Sequence, residues 1–137
     1  MEISFGIVPV RQSTGIWQVL LVQHKQGHWS FPKGHVEDEE SHLETATREL
    51  FEETHLHIQQ LLCDEPFYET YRFQKSGKDV EKRVGYFIAE VTGNEIIDKK
   101  ELASSCWTTF DQAEQIITFP ESKRILHKAK NFLIDKL

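Results

Sequence analysis

The sequence predicts an α/β domain in which helices pack on a mixed β-sheet. Apolar segments of strand-like composition come first, one amphipathic helical segment follows, and further strands precede helices at the end of the chain. This order of strands and helices is typical of layered α/β domains. A chain of 137 residues can bury a core in one domain and is hardly long enough for two, so a single domain over residues 1–137 is expected.

The first two predicted strands form a hairpin. "ISFGIVPV" and "WQVLLVQH" are rich in β-branched and apolar residues, and the polar segment "RQSTG" between them is typical of a turn. The following "GHWSFPKGH" contains Gly27, Pro32 and Gly34, which indicate a loop or short strand.

A helix is predicted from Ser41 to about Thr54, where the hydrophobic period changes. Ser41 with Glu44 three residues later has the form of a capping box. The apolar face should pack on the sheet. Its members are Leu43, Ala46, Leu50 and, less strongly, Thr47.

Three further strands and two helices are predicted after this helix. The strands are "LHIQQLLC", "FYETYRFQ" and "RVGYFIAEV", with "KSGKD" as the turn between the last two. "TGNEIIDKKELASSC" is predicted as a polar connection and "TTFDQAEQIITF" as a short helix. A last helix is predicted to begin near Pro120. Its apolar stripe consists of Ile125, Leu126, Ala129, Phe132 and Leu133.

Composition and charge exclude several classes of protein. The net charge of −6 argues against a diffuse basic surface for duplex nucleic acid, although a local basic pocket for phosphates is compatible with it. The start of the chain lacks the pattern of a signal peptide, and no apolar run of about 18 residues predicts a membrane span. Cys63 and Cys106 are expected to be buried free thiols, with a disulfide as the open alternative. We therefore expect a cytoplasmic protein without a membrane partner.

The segment "GHVEDEESHLETATRELFEET" holds eight acidic residues. On a helix, Glu49, Glu52 and Glu53 lie on one face, because they are three and four residues apart. Carboxylates this close repel one another, and Mg²⁺ or Mn²⁺ would remove the repulsion because both ions favour oxygen ligands. The alternative is an ordinary solvated acidic face with surface ion pairs to Arg48.

The same segment resembles the Nudix box, G-x5-E-x7-R-E-U-x-E-E-x-G-U, in which U is bulky and aliphatic. His55 stands where the family usually has glycine. We expect His55 to end the helix in the left-handed region, which histidine enters more readily than most residues. The matching positions are Gly34, Glu40, Arg48, Glu49, Leu50, Glu52, Glu53 and Leu56.

Membership in this family implies a Nudix fold, an α/β/α sandwich with a central mixed sheet. It also implies hydrolysis of nucleoside diphosphates linked to another moiety, with Mg²⁺ or Mn²⁺ as cofactor. By the resemblance, Gly34 allows the tight loop before the helix, and Glu40 pairs with Arg48 to hold that loop against the helix. The three glutamates of the helix face, Glu49, Glu52 and Glu53, become the metal ligands, one of them a candidate base.

Segments outside the box are similar to the asymmetric diadenosine tetraphosphate hydrolases. "HWSFPKGHVE" is similar to their W-x-x-P-K-G-H lead-in, and "KRVGYFIAEV" to their K-x-V-x-Y-[FW]-[LI]-A strand. Glu101, six residues before Trp107, has the spacing of a late glutamate that acts in that group as a further metal or base residue. Ser105 departs from the group, which often has a base-binding tyrosine there.

This second resemblance implies binding roles for residues near the box. Lys33, His35 and Lys82 would meet phosphate oxygens, with surface lysines and a loop end as the plain alternatives. Tyr71 and Tyr86 would stack on a purine, with core packing as the alternative.

The implied reaction splits diadenosine tetraphosphate into ATP and AMP, so the expected partner is a small nucleotide. The alternatives are nucleoside triphosphates, ADP-ribose, the 5′ triphosphate end of RNA, or a non-catalytic nucleotide sensor. Box carboxylates would be expected to be lost in a sensor, and this sequence keeps them. The sequence leaves the oligomeric state open.

Overall fold

The computed structural model describes residues 1–135 as seven strands and three helices. In chain order they are β1 (Glu2–Ser13), β2 (Ile16–His24), β3 (Trp29–Ser30), β4 (Lys33–His35), α1 (His42–Thr54), β5 (His57–Lys75), β6 (Lys78–Thr92), β7 (Leu102–Thr109), α2 (Phe110–Ile116) and α3 (Pro120–Asp135).

All seven strands belong to one mixed sheet. Its main path is β3-β2-β1-β6-β5, while β4 pairs with β1 and β7 pairs with β2. β1 and β6 run parallel, and the other pairings are antiparallel. The predicted hairpin of the first two strands and the mixed sheet are confirmed.

β1 pairs with β6 along one edge and divides its other edge between two strands. Residues 10–13 pair with β2, and residues 4–6 pair with the short strand β4. A side chain at Gly6 would place its Cβ 2.2 Å from the carbonyl oxygen of Pro32, so this close approach requires glycine. The segment that precedes α1 is thereby held against the middle of the sheet.

Helices cover both faces of the sheet. Phe5, Ile7 and Leu20 pack with Ala46 and Leu50 of α1 on one face. Alternate positions of the same strands pack with α2 and α3 on the other face. This confirms the α/β/α sandwich and the apolar stripe of the last helix. The buried members of that stripe are Ile125, Leu126, Ala129 and Leu133.

Thr47 is exposed, so its weaker assignment to the apolar face of α1 is wrong. Its hydroxyl donates to the carbonyl oxygen of Leu43 at 2.7 Å, and Thr45 is buried instead.

The predicted separation of two strands and the predicted extent of one connection are also wrong. "LHIQQLLC" and "FYETYRFQ" belong to one strand, β5, which stays paired with β6 through register shifts between residues 58 and 67. The predicted polar connection ends in strand β7, which pairs with β2. Its sequence lacks the alternation of apolar and polar residues that predicts a strand. Most of its side chains are only partly buried, so neither face of the strand needs to be apolar.

Both cysteines are free and partly buried, as expected apart from the depth of burial. Within residues 1–135, none of the helices combines the length and the apolar character that crossing a membrane requires.

Candidate active site

Helix α1 begins and ends as its sequence predicts. The Ser41 hydroxyl accepts the Glu44 amide at 3.1 Å, and the Glu44 carboxylate accepts the Ser41 amide at 2.9 Å, which completes the capping box. His55 ends the helix with φ of 62°, and its amide donates to the carbonyl oxygen of Phe51 at 2.8 Å. His55 therefore takes the left-handed C-terminal position where the family pattern has glycine.

Arg48 joins α1 to the loop before it. Its guanidinium donates to both carboxylate oxygens of Glu40, at 2.7 and 3.1 Å, and to the carbonyl oxygen of His35 at 2.9 Å. The Arg48 hydrogen bond, reinforced by the Glu37 amide, lowers the pKa of Glu40 to about 2. The predicted ion pair between loop and helix is confirmed.

The same guanidinium also binds two carboxylates on the acidic face of the helix. One Arg48 nitrogen donates to Glu49 at 2.9 Å and to Glu52 at 3.1 Å. The hydrogen bonds that Arg48 donates to Glu40, Glu49 and Glu52 together raise its pKa, so its charge is permanent. Arg48 thus offsets part of the repulsion among the carboxylates.

Glu53 is the buried member of the acidic face. It is 2% exposed, and its carboxylate accepts the backbone amide of Lys33 at 2.9 Å. Burial first, and the neighbouring Glu49 second, raise the pKa of Glu53 to about 8. Glu52, in contrast, has a side chain that is 54% exposed.

Gly34 packs directly against the carboxylate of Glu49. A Cβ at Gly34 would lie 2.0 Å from Cδ of Glu49, so any other residue here would force the Glu49 carboxylate to move. Burial raises the pKa of Glu49, and the Arg48 guanidinium partly opposes that rise. Glycine at this position therefore lets the Glu49 carboxylate stay where the structure places it.

Glu101 reaches the same site from the connection after β6. That connection is tied to the end of α1, because the amides of Ile96 and Asp98 donate to the carbonyl oxygens of Thr54 and Glu53 at 2.9 and 3.0 Å. The charge of Glu101 raises the pKa of both Glu49 and Glu53. The exposed Glu101 therefore lies beside the helix carboxylates.

The chemistry of these four carboxylates fits a divalent cation. Their oxygens are the donors that Mg²⁺ and Mn²⁺ prefer. Burial is the main cause of the raised pKa of Glu49 and of Glu53, and neighbouring carboxylates add to both rises. Within residues 1–135, no three acidic, histidine or cysteine side chains are already arranged around one point as an ion would need. Two of the four, Glu49 and Glu52, are instead held by Arg48.

A cavity of about 260 Å³ adjoins the carboxylates, and we call it the phosphate cavity. Lys33 and Lys82 both line it, and burial together with the Lys33 charge lowers the pKa of Lys82 to about 8. His35 is exposed at its edge, with Nδ1 3.5 Å from the hydroxyl of Ser4. The full lining is Ser4, Lys33, Gly34, His35, Glu37, Glu49, Lys82 and Glu101.

A second cavity of about 250 Å³ includes Lys33 and four ring-bearing side chains in its lining. We call it the ring-lined cavity. The half-buried Tyr71 and its neighbour Phe73 contribute from β5, and His28 and Phe119 contribute from other segments. Tyr71 is thus placed where stacking on a base is feasible.

Tyr86 does not face either cavity, and its predicted stacking on a base is corrected by the structure. It is 0% exposed and packs edge-on against Phe31, with ring centroids 5.4 Å apart. A fully buried ring has no face to offer a ligand, so the core alternative holds for Tyr86.

Sequence reasoning missed several residues that line these cavities. Among them, Ser4 lines the phosphate cavity and Glu69 lines the ring-lined cavity. The available signal for Glu69 was a lone acidic residue within the aromatic strand segment "FYETYRF". Ser4 carries no comparable signal, because only the pairing of β1 with β4 brings it opposite His35.

Comparison with known proteins shows similarity along nearly the whole chain. The family model described as "NUDIX domain" matches residues 2–129. The asymmetrical bis(5′-nucleosyl)-tetraphosphatase of Rattus norvegicus is 37% identical over 131 residues, which cover 93% of this chain and 87% of the relative. The protein of the same name from Caenorhabditis elegans is 30% identical over 93% of this chain and 94% of its own length.

The fold agrees with a solved structure as well. The chain superposes on the C. elegans Ap4A hydrolase in its binary complex with a TM-score of 0.78 at 25% identity, covering 98% of this chain and 99% of that one.

Proposed function

The chain belongs to the NUDIX domain family and is a Nudix hydrolase, and we propose that it splits dinucleoside polyphosphates such as diadenosine tetraphosphate into ATP and AMP. One observation carries the proposal: Lys33 lines both the phosphate cavity, beside the carboxylates, and the ring-lined cavity. A polyphosphate and its terminal base thus find adjoining sites of suitable chemistry. The names of the similar tetraphosphatases support the same substrate class.

Nudix hydrolases generally use a divalent metal ion, and we propose Mg²⁺ or Mn²⁺ here. Glu49, Glu52, Glu53 and Glu101 would hold it, since their donor chemistry fits and they lie at one site. When bound, such an ion neutralises phosphate charge and lowers the pKa of the attacking water.

The chain's own cations bind and orient the polyphosphate. Lys33 and Lys82 meet phosphate oxygens as compact charges, and Lys82 remains largely charged at neutral pH because its pKa is about 8. His35 adds a hydrogen bond at the edge of the phosphate cavity. Arg48 is a positioning residue, because it holds Glu49 and Glu52 to the helix face.

The reaction is a hydrolysis at phosphorus. A bond forms between the water oxygen and phosphorus, one phosphoanhydride P–O bond breaks, and the bridging oxygen leaves with the other nucleotide. The proton of the water passes to a carboxylate of the site. Tyr71 holds the base by stacking.

A substrate panel in ¹⁸O-labelled water tests this function. Diadenosine tetraphosphate should yield ATP and AMP with Mg²⁺, and the labelled product identifies the phosphorus that is attacked. The panel includes a nucleoside triphosphate, ADP-ribose and RNA with a 5′ triphosphate at equal concentration. Faster turnover of any of these three than of the dinucleotide would contradict the proposal.

We also propose a cytoplasmic location. Both cysteines are free thiols, which agrees with a reducing compartment.

A further inference from the structure

Glu69 is a buried carboxylate that the proposed reaction does not use. It is 7% exposed, and one oxygen, Oε1, accepts the Tyr86 hydroxyl at a long 3.4 Å. The other oxygen, Oε2, is buried and has no hydrogen-bond partner of good geometry within residues 1–135, although the Ser122 hydroxyl lies near enough to lower the pKa of this carboxyl. A buried acceptor without a good partner is destabilising, so its presence in the wall of a cavity points to a ligand that supplies donors.

The cavity that Glu69 lines offers aromatic side chains on which a flat heterocycle could stack. Tyr71 and Phe73 line it from the same strand, with ring centroids 6.2 Å apart. His28 and Phe119 line it from elsewhere, with ring centroids 5.5 Å apart. Aromatic walls of this kind accept the face of any base and do not distinguish one base from another. Discrimination must therefore come from a polar group.

Glu69 is suited to that task by its chemistry. An ionised carboxylate only accepts hydrogen bonds. Burial raises the pKa of Glu69 to about 7, and the Lys33 charge opposes that rise, so the ionised form is available near neutral pH and dominates above it. The other charged or titratable groups of the cavity are His28, Lys33, Tyr71, Arg72 and Glu121.

We propose that Glu69 selects the nucleobase of the substrate and favours guanine over adenine. Guanine presents two adjacent donors, N1–H and the 2-amino group, to an acceptor. Adenine presents one donor, the 6-amino group, beside the acceptor N1, which an ionised carboxylate would repel. The inference rests on the proposed function, because it names the base of the same dinucleoside polyphosphate.

Base preference is measured as the ratio of kcat/KM for diguanosine and diadenosine tetraphosphate. The assay is run about one pH unit above the pKa of Glu69, where the carboxylate dominates. The wild type should favour guanine by about tenfold, the scale of one well-placed base contact. Glu69→Gln should lower that ratio at least about tenfold, because an amide offers the donor and acceptor that complement adenine.

Glu65→Gln is the matched control. Glu65 lies on the same strand and carries the same charge, but it is exposed and does not line the cavity. Its variant should keep the wild-type ratio. Melting temperatures of both variants establish that they are folded.

Binding without turnover separates this inference from the proposed function. If the wild type hydrolyses neither dinucleotide, the proposed substrate is wrong, and calorimetric titration with GMP, IMP and AMP still tests Glu69. GMP should bind most tightly, and IMP should bind less tightly because it lacks the 2-amino group. Equal affinities, a wild-type preference for adenine, or the same base ratio in wild type and Glu69→Gln would overturn the role of Glu69.

Discussion

At the scale of single residues, Arg48 explains how three carboxylates share one helix face. It contacts Glu40, Glu49 and Glu52 at once, so part of the repulsion is offset inside the protein. Glu53 does not contact this guanidinium and is buried instead, with a pKa of about 8. The acidic face is therefore two charges held by arginine and one carboxyl held by the backbone of Lys33.

Replacement of the carboxylates at Glu52 or Glu53 by amides should abolish turnover while preserving the fold. Glu53→Gln keeps an oxygen that accepts the Lys33 amide and removes the cost of ionising a buried carboxyl whose pKa is about 8, so its melting temperature should be no lower than that of the wild type. Loss of a carboxylate ligand or base should lower kcat by about 10²- to 10⁴-fold. Asp38→Asn, in the exposed loop before the helix, is the control and should keep full activity. Full turnover in both glutamine variants would refute their assignment as metal ligands.

His55→Gly tests the one departure from the box. A non-glycine residue at φ of 62° is strained relative to glycine, although its ring stacks on Phe51. The free energy of unfolding should therefore change by between zero and about 1 kcal/mol in favour of the variant, with activity retained. His55→Val should be clearly destabilising, because β-branched residues are poorly tolerated at positive φ. Joint loss of folding and activity in the glycine variant would show that His55 does more than end the helix.

The pH dependence of stability should report Glu69. Its pKa is raised from 4.5 to about 7 in the folded protein, so the folded state binds the proton more tightly than the unfolded state. The stabilisation that follows from this tighter proton binding is fully present below the unfolded pKa and is lost as the pH rises through about 7. Over that pH range, the free energy of unfolding of Glu69→Gln, measured by chemical denaturation, should rise relative to the wild type by up to about 3 kcal/mol. Glu65→Gln should follow the wild type, and a constant difference between Glu69→Gln and wild type would contradict the assignment.

At the scale of secondary-structure elements, the site depends on strand β4 lying directly against helix α1. Gly34 of β4 touches Glu49 of α1, and the Arg48 guanidinium binds the His35 carbonyl oxygen. The helix could be predicted from the sequence because its signals are local: the capping box, the apolar spacing and the acidic face. β7 and the continuity of β5 could not, because their pairing with β2 and β6 compensates for a polar or interrupted sequence.

Gly34→Ala should disturb this contact specifically. The added Cβ would overlap Glu49, and a displaced carboxylate should lower kcat by about 10²-fold. The free energy of unfolding should also fall. In a Glu49→Ala background the same change should destabilise much less, which a double-mutant cycle measures directly. Equal destabilisation in both backgrounds would place the strain elsewhere.

At the scale of the whole molecule, the two cavities meet at Lys33 because distant segments converge there. β4, β5, β6 and the connection after β6 each supply lining residues. Spacing along the sequence predicts neighbours within one helix, such as Glu49, Glu52 and Glu53. It does not show that Glu69 joins the rings, or that Tyr86 turns into the core, since both depend on which face of a strand meets solvent.

Metal binding should stabilise the whole fold. A ligand that binds only the folded state at about 100 times its Kd adds about 2.7 kcal/mol, which raises Tm by several degrees. Thermal melts with Mg²⁺ or Mn²⁺ against a chelator should show this rise in the wild type and in Asp38→Asn. The rise should be much smaller in a Glu49→Gln, Glu53→Gln double variant. No shift in the wild type at millimolar metal would contradict the metal site.

The parallel pairing of β1 with β6 has a consequence for the order in which the protein folds during its synthesis. The partner of residues 2–10 lies at residues 82–90, so the first strand leaves the ribosome long before its neighbour exists. Until then, the hairpin of β1 with β2 and the capped helix α1 can form only as local structures, because their packing partners across the sheet are missing. The acidic helix is therefore synthesised early, but the sheet on which it packs is completed late. Nascent chains that end before residue 92 should consequently lack a stable fold.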